Sequence, residues 1–360
     1  MTWVLVLSRP AGNPLLRVGG LPLALRLALD AQAGGAEAVV LEAEAESARP
    51  ALADSRLRLP LLSPSEVVAG LRRLRVPASW LVHRGLFRHI ASSPTLLDCA
   101  GERDLSIDPV EHHVPWGFDP VDVVDAASKR RAEAALFRSL RKPQDGWTSR
   151  WLNRYLSLAL SRLLVQTPLR PNQLSLAILA VGLAGAWLAS RGTYASMLAG
   201  AALFQAQSVL DGCDGEISRV SHRGSLLGEW LDTIGDDLTN YSFFGGAALG
   251  LFRASGSPWY LLAGGVTVLC GVIGSGLEYR YLLRIGSGDL LRYPLSQGQG
   301  TGRFAKLAPL FKRDTFVLLT LLAAALGVLG PMLVLFALGA VGVLIGVLQT
   351  ELRLARERAR

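Results

Sequence analysis

The sequence predicts a multi-domain protein, an N-terminal α/β domain followed by an all-α membrane domain of six helices. Three observations carry this. Half of the 360 residues are hydrophobic and the mean hydropathy is +0.33, too apolar for an ordinary soluble chain of this size. The apolar residues are unevenly spread: residues 1–145 mix them with charge, whereas long uncharged runs dominate beyond about residue 171. The basic residues then fall in alternate loops of that second half, as they do in multi-span membrane proteins.

In the first 145 residues, four runs have strand character: WVLVL (3–7), AVVLE (38–42), LRLPLL (57–62) and SWLVH (79–83). Between them, 21–36 and 65–76 read as amphipathic helices, the alternation that a parallel doubly wound sheet needs. The first run has no basic leader before it, so it reads as a first strand and not as a signal peptide. Cys99, Cys213 and Cys270 are scattered, with neither disulfide nor zinc-ligand spacing. A reducing compartment suits such usage.

A linker follows at 146–170. In it, Trp151, Tyr155, Leu158 and Arg162 recur at helical spacing, which predicts an amphipathic helix lying in the membrane interface or else a linker helix packed on protein. The membrane domain spans 171–352. No charge occurs over 174–190 or 193–210, and Arg191-Gly192 between them is a turn. The run Leu238–Phe252 has only 15 uncharged residues, short of the roughly 20 that a bilayer needs. It reaches full length if its helix starts near Gly228. Residues 254–277 form a fourth run, and 315–350 divide at Gly327–Pro331 into two more.

Six spans put every basic cluster on one side: Arg150, Arg154, Arg162 and Arg170; Arg219 and Arg223; Arg280, Arg284, Arg292, Arg303, Lys306, Lys312 and Arg313; and the arginine-rich tail. The opposite loops hold Arg191 and Arg253. Counting basic residues makes the rich side cytoplasmic, so both termini and the mouth between spans two and three face the cytoplasm of a cell (inner) membrane. Net charge is +8. This topology accounts for it, and nothing in the chain calls for nucleic acid.

Carboxylates stand at that mouth, in DGCDGEISRVSHRGSLLGEWLDTIGDD (211–237). Asp211 and Asp214 are three apart, Asp232 and Asp236 four apart, so each pair shares a helical face. Four facing carboxylates raise one another's pKa unless a cation intervenes. All-oxygen ligands suit hard ions such as Mg²⁺, Mn²⁺ or Ca²⁺, and paired ions of that kind stabilise phosphoryl displacement. Gly212, Gly215, Gly224 and Gly228 permit close approach of a ligand, and Arg219 offers a fixed cation to a phosphate. A proton or ion pathway built on paired acids is the physical alternative.

The stretch resembles the signature of the CDP-alcohol phosphotransferases (phosphatidyltransferases), D-x2-D-G-x2-A-R, eight or nine residues, then G-x3-D-x3-D. It reads here as Asp211, Asp214, Gly215, Arg219, Gly228, Asp232 and Asp236, with Ser218 in the alanine position. The resemblance implies a six-helix membrane transferase that moves a phospho-alcohol from a CDP-alcohol to an acceptor alcohol and releases CMP. It implies that Asp211, Asp214, Asp232 and Asp236 hold divalent metal, two ions of Mg²⁺ or Mn²⁺, and that Asp236 also serves as general base. It further implies that Asp211, Gly215, Ser218, Arg219 and Gly228 line the nucleotide, and that the protein is a homodimer among membrane lipids. Asp237 is an extra neighbour. Arg280, Arg284 and Arg313 are candidate ligands of a phosphorylated polyol acceptor, or membrane anchors.

Residues 16–42 resemble the start of sugar-nucleotide and cytidylyl transferases, through a V-G-G-x-P-L turn before a long helix and strand. The loop SRPAGNPLL (8–16) has too few glycines to cradle a triphosphate, and LVHRG (81–85) stands where a metal-binding aspartate is expected. These departures imply a degenerate nucleotidyltransferase-like domain that docks or regulates. The junction, with TPLRPNQLS and KRDTFVLL, looks like that of the bifunctional inositol-phosphate cytidylyltransferase/di-inositol-phosphate-phosphate synthases. Phospholipid or inositol-phosphate synthesis is thus the expected setting, with CDP-diacylglycerol open as a donor. An enzyme that also makes its own CDP-polyol, and a membrane protein that binds metal and nucleotide without transfer, are the alternatives.

Overall fold

A computed structural model of the chain describes residues 3–67, 71–92, 102–104, 117–141, 146, 148–297 and 312–358. It divides into two compact units: Met1–Gln144 with Val165–Thr167 and Val220–His222, and Asp145–Leu164 with Pro168–Arg219 and Arg223–Arg360.

The first unit is built on a parallel sheet. Strand β1 (Trp3–Ser8) is buried at every position, the mark of a strand covered on both faces. The hairpin β2 (Arg17–Val18) and β3 (Leu21–Pro22) leads into α1 (Leu23–Ala33), which starts after Pro22 and stops at Gly34. Then come β4 (Ala38–Leu41), the single turn α2 (Arg49–Leu52), β5 (Leu61–Leu62) and β6 (Arg72–Pro77). After β7 (Trp80–Leu81) follow α3 (Arg84–Ser92), β8 (Glu102–Asp104), β9 (Val121–Asp122) and α4 (Ala126–Arg138). The sheet order is β5-β4-β1-β6-β8, with every pairing parallel. On one face Trp3, Leu5, Leu7, Val39, Leu41, Leu74 and Val76 pack with Leu27, Ala28 and Ala31 of α1. Trp3 stacks on Phe87 of α3, with ring centroids 6.1 Å apart.

Three sequence expectations need correction here. Residues 72–76, expected within a helix over 65–76, belong to β6 beside the central strand. Leu74 and Val76 are buried while Arg73 and Arg75 alternate with them, and Arg75 Nη2 lies 2.8 Å from Glu42 Oε2. This is period-two burial, and the arginines made it look amphipathic at helical period. Only Leu61–Leu62 of the run 57–62 pair with the sheet, since Pro60 cannot donate to a ladder. The run 79–83 supplies just Trp80–Leu81, antiparallel to β9 and outside the main sheet. Residues 68–70 of the expected helix, and Cys99, Arg303 and Lys306, lie outside the described residues.

The second unit is helical. A turn of π-helix over Ser149–Asn153 runs into α5 (Arg154–Leu164). Among the described residues six α-helices follow: α6 (Pro171–Ala189), α7 (Tyr194–Ser221), α8 (Leu226–Ser255), α9 (Pro258–Ile285), α10 (Arg313–Ala325) and α11 (Leu329–Arg358). The turns fall where glycine permits a left-handed backbone: Gly192 (φ 83°) between α6 and α7, and Gly327 (φ 72°) between α10 and α11. Among the described residues three helices are long and apolar enough to cross a membrane, Pro171–Ala189, Pro258–Ile285 and Leu329–Glu357. α7 and α8 carry the signature charges, and α10 has only 13 residues. The core stacks Phe204 of α7 on Phe243 of α8, centroids 4.3 Å apart, with Phe244, Phe316 and Phe336 around them.

Candidate active site

The signature stretch folds as two helices with a short reversal between them. Ser225 caps α8, its Oγ accepting from the Gly228 amide at 3.0 Å, which satisfies one of the orphan donors of the first turn. From that start, Asp232 and Asp236 fall on successive turns of α8, as Asp211 and Asp214 do near the end of α7. All four carboxylates line one cleft, closed by Ser175, Ile178 and Leu179 of α6 together with Gln207, Leu231 and Gly235.

Hydrogen bonds and a guanidinium hold these carboxylates. Asp214, 6% exposed, accepts from Ser175 Oγ and from the Gly215 amide, both at 2.5 Å. Arg313, on the first turn of α10, enters the same network. Its Nη1 lies 2.9 Å from Asp236 Oδ1 and 3.4 Å from Asp211 Oδ2. Its Nη2 donates to Gln207 Oε1 at 2.6 Å and its Nε to Asn240 Oδ1 at 3.3 Å. Gln207 Nε2 also donates to Asp236 Oδ1, at 3.4 Å. A planar guanidinium with five donors suits such a many-sided contact.

The remaining signature residues, Gly215, Ser218, Arg219 and Gly228, are not among those that line the cleft. A β-carbon at Gly215 would stand 3.2 Å from Arg219 Nη1, and one at Gly228 would stand 3.1 Å from Asn172 Oδ1. One at Gly224 would stand 3.3 Å from Ser218 Oγ. Asp237 turns elsewhere, accepting from Ser275 Oγ at 2.5 Å and Tyr279 OH at 2.6 Å on α9. Arg280 and Arg284 do not line the cleft. Arg280 Nη2 lies 2.7 Å from Glu351 Oε2 of α11, and Arg284 is exposed at the end of α9. Sequence reasoning missed Ser175, Gln207 and Asn240. Gln207 and Asn240 had a signal, each lying four residues from a signature aspartate and so on its helical face.

Among the described residues no three acidic, histidine or cysteine side chains are drawn together as a ready ligand cage. The donor set nevertheless fits a hard divalent ion. Four carboxylates, acceptor-only once ionised, line one cleft, and a cation, Arg313, already stands against two of them.

The first unit holds a separate buried cluster. Arg26 Nη2 donates to the Val18 and Gly19 carbonyls at 2.8 and 3.2 Å, and Asp30 Oδ1 lies 3.4 Å from His222 Nε2. Burial pushes the Asp30 carboxyl up to about 7, against the pull of Arg26, Arg84 and Arg88. Burial, helped by Arg26, Arg84 and Arg56, pushes His222 down to about 3. The imidazole is therefore neutral at neutral pH, and the 3.4 Å contact is not an ion pair. Just after β7, His83 is buried, accepts from the Gly85 amide at 3.2 Å and meets Phe118 edge-on.

Residues 169–348, half of the chain, match the CDP-alcohol phosphatidyltransferase family. The chain is 35% identical to the bifunctional IPC transferase and DIPP synthase of Thermococcus kodakarensis over 149 residues, 41% of this chain and 33% of that relative. It is 31% identical to the protein of that name from Aquifex aeolicus over 170 residues, 47% of this chain and 38% of the relative. With that of Rubrobacter xylanophilus it shares 34% identity over 158 residues, 43% of this chain and 34% of the relative. The chain thus spans well under half the length of each of these relatives.

Proposed function

We propose that the chain, which belongs to the CDP-alcohol phosphatidyltransferase family, transfers a phospho-alcohol from a CDP-alcohol to an acceptor hydroxyl and releases CMP. One observation carries this reading: Asp211, Asp214, Asp232 and Asp236 line a single cleft with Arg313 against two of them. We place the cleft at the cytoplasmic face of a cell (inner) membrane, with α6 to α11 as six spans. A homodimer is part of the proposal, by resemblance.

In this reading the four aspartates hold two divalent ions, Mg²⁺ or Mn²⁺, which supply charge neutralisation at the pyrophosphate when bound. Gly215, Ser218, Arg219 and Gly228 border the cytidine diphosphate, the glycines keeping the helix surfaces low and Arg219 meeting a phosphate. The acceptor oxygen forms a bond to the phosphorus that carries the alcohol. The bond from that phosphorus to the bridging oxygen breaks, and its electron pair leaves on CMP. Asp236 takes the hydroxyl proton, the role the family resemblance implies for it, as a base within hydrogen-bond reach of the acceptor. Arg313 turns its donors to a substrate phosphate, a contact that guanidinium makes bidentately. That move also frees Asp236 to act as base.

The relatives' printed names, DIPP synthase among them, support a phosphorylated polyol as acceptor and CDP-polyol as donor. Membrane lipids surround the site, and CDP-diacylglycerol is the competing donor. We assign the N-terminal unit no transfer step, because its 81–85 segment presents buried His83 where a metal carboxylate is needed.

The test is CMP release by the full chain in detergent with Mg²⁺. CDP-inositol and CDP-diacylglycerol are each offered with inositol phosphate, glycerol phosphate or inositol. Release with one pair, lost in Asp236→Asn, supports the reading and names the substrates. Silence with every pair, in protein that binds Mn²⁺ and CDP, overturns it in favour of a binding protein.

A further inference from the structure

Helix α5 and the turn before it are mainly apolar outside and mainly polar inside, with Leu158 buried and Arg150 and Arg162 exposed as the exceptions. Trp151, Leu152, Tyr155, Leu156 and Leu163 are exposed, Trp151 by 64%, whereas Asn153, Arg154, Ser157 and Ser161 are buried. A helix in water has the reverse pattern. Its polar side meets α7. Glu216, 0% exposed, accepts from Arg154 Nη1 at 2.7 Å, Ser157 Oγ at 2.8 Å and Ser161 Oγ at 2.7 Å. Two turns and more towards the start of α7, Asn153 Nδ2 donates to Ser208 Oγ at 3.2 Å, and Gln205 Nε2 to Asn153 Oδ1 at 3.0 Å. Between them Gly212 brings the helices close, since a β-carbon there would stand 3.0 Å from Ser157 Oγ.

Gln205, Ser208, Gly212 and Glu216 follow one another by three, four and four residues and share a face of α7. Gln207, Asp211 and Asp214 belong to another face, the one that fronts the cleft. At 100° per residue the two faces cannot rotate independently. Whatever fixes the first fixes the second.

We propose that Glu216 is a positioning residue for the transfer reaction, an inference that rests on the function proposed above. It locks the rotation and depth of the signature helix to α5, whose apolar side beds in the lipid interface. Asp211 and Asp214 are thereby held at the level where a membrane-borne substrate meets water. The chemistry favours this role. A buried carboxylate is costly unless paired and fully hydrogen-bonded, and both Glu216 oxygens are satisfied from α5. Stable burial of the pair adds little by itself compared with apolar residues, whereas its directional bonds set register.

The test uses the full chain in lipid nanodiscs. Mn²⁺ titration read by EPR, hydrogen exchange over residues 149–164 and initial rates are measured for wild type and Glu216→Gln. Mn²⁺ is expected to bind about tenfold more weakly in the variant, the loss typical of a group that orients a ligand. Exchange over 149–164 rises, and kcat falls while the donor KM holds. Ser157→Ala with Ser161→Ala, which leaves the ion pair intact, repeats the pattern in smaller measure. Wild-type Mn²⁺ affinity in a folded Glu216→Gln protein overturns the proposal, even where the melting temperature drops. Should that variant fail to fold, the serine pair decides by the same criterion. Mn²⁺ binding and exchange are read without turnover. A wild-type protein that releases no CMP therefore sinks the proposed reaction, while these two readings still judge Glu216.

Discussion

Arg313 Nη1 stands 2.9 Å from Asp236 Oδ1, so a cation from α10 is set directly against the last aspartate of the signature. The contact ties the distant segment 312–319 to the 211–237 stretch, and it places a positive charge where divalent ions are proposed to bind.

Two opposite effects follow for Arg313→Gln. Removing the guanidinium removes a competitor for Asp211 and Asp236, so Mn²⁺ binds about tenfold tighter, the equivalent of about 1.4 kcal/mol. Catalysis moves the other way: kcat/KM falls about 100-fold, as for the loss of one preorganised donor at a developing charge. EPR titration beside CMP-release kinetics reads both. Weaker Mn²⁺ binding in the variant would show Arg313 supporting the acidic cluster and not competing with metal.

Ser175 is a second point of attack, on a helix outside the signature. Its hydroxyl donates to Asp214 Oδ2, fixing which oxygen faces the cleft. Ser175→Ala is expected to weaken Mn²⁺ affinity by about tenfold, the usual cost of deleting a ligand's orienting partner, with little change in melting temperature. Unchanged affinity would mean that Asp214 is oriented by the Gly215 amide alone.

The site was legible in the sequence as far as contacts run along one helix. Asp211 with Asp214, and Asp232 with Asp236, are fixed by helical spacing, and the structure brings both pairs to one cleft. Gln207 and Asn240 were readable on the same ground. Ser175 and Glu216 were not, because their partners sit 39 residues away on α7 and 59 residues away on α5, and no local pattern announces a pairing between helices. Arg280 fits the basic side of the membrane as an anchor, yet its ion pair with Glu351 depends on how α9 and α11 pack. In the first unit, β1 and β4 were plain because continuous apolar runs signal doubly covered strands. β6 was mistaken because alternate arginines on a partly solvated strand mimic the polar side of a helix.

The Asp30 cluster predicts an unusual pH profile for the first unit. The Asp30 carboxyl rises from an ordinary 3.8 to about 7 on folding, so its folded form keeps a proton that the unfolded chain has lost. That contribution is full below 3.8 and disappears as pH climbs through 7. His222 falls from 6.5 to about 3, so its contribution is present above 6.5 and is lost as pH drops towards 3. Between about pH 4 and 6.5 the two slopes oppose each other and nearly cancel. Asp30→Asn deletes one of them and keeps the shape of the other. The variant's stability is then expected to rise with pH across that window, by about 1.4 kcal/mol per unit where His222 alone titrates, relative to the wild type. Above pH 7, where the wild type must bury an ionised carboxylate, the Asp30→Asn protein melts at the higher temperature. Thermal unfolding of both proteins at about pH 4.5, 5.5, 6.5 and 8, on either side of the two shifted groups, checks this, and parallel profiles would show that Asp30 stays ionised beside Arg26 and Arg84.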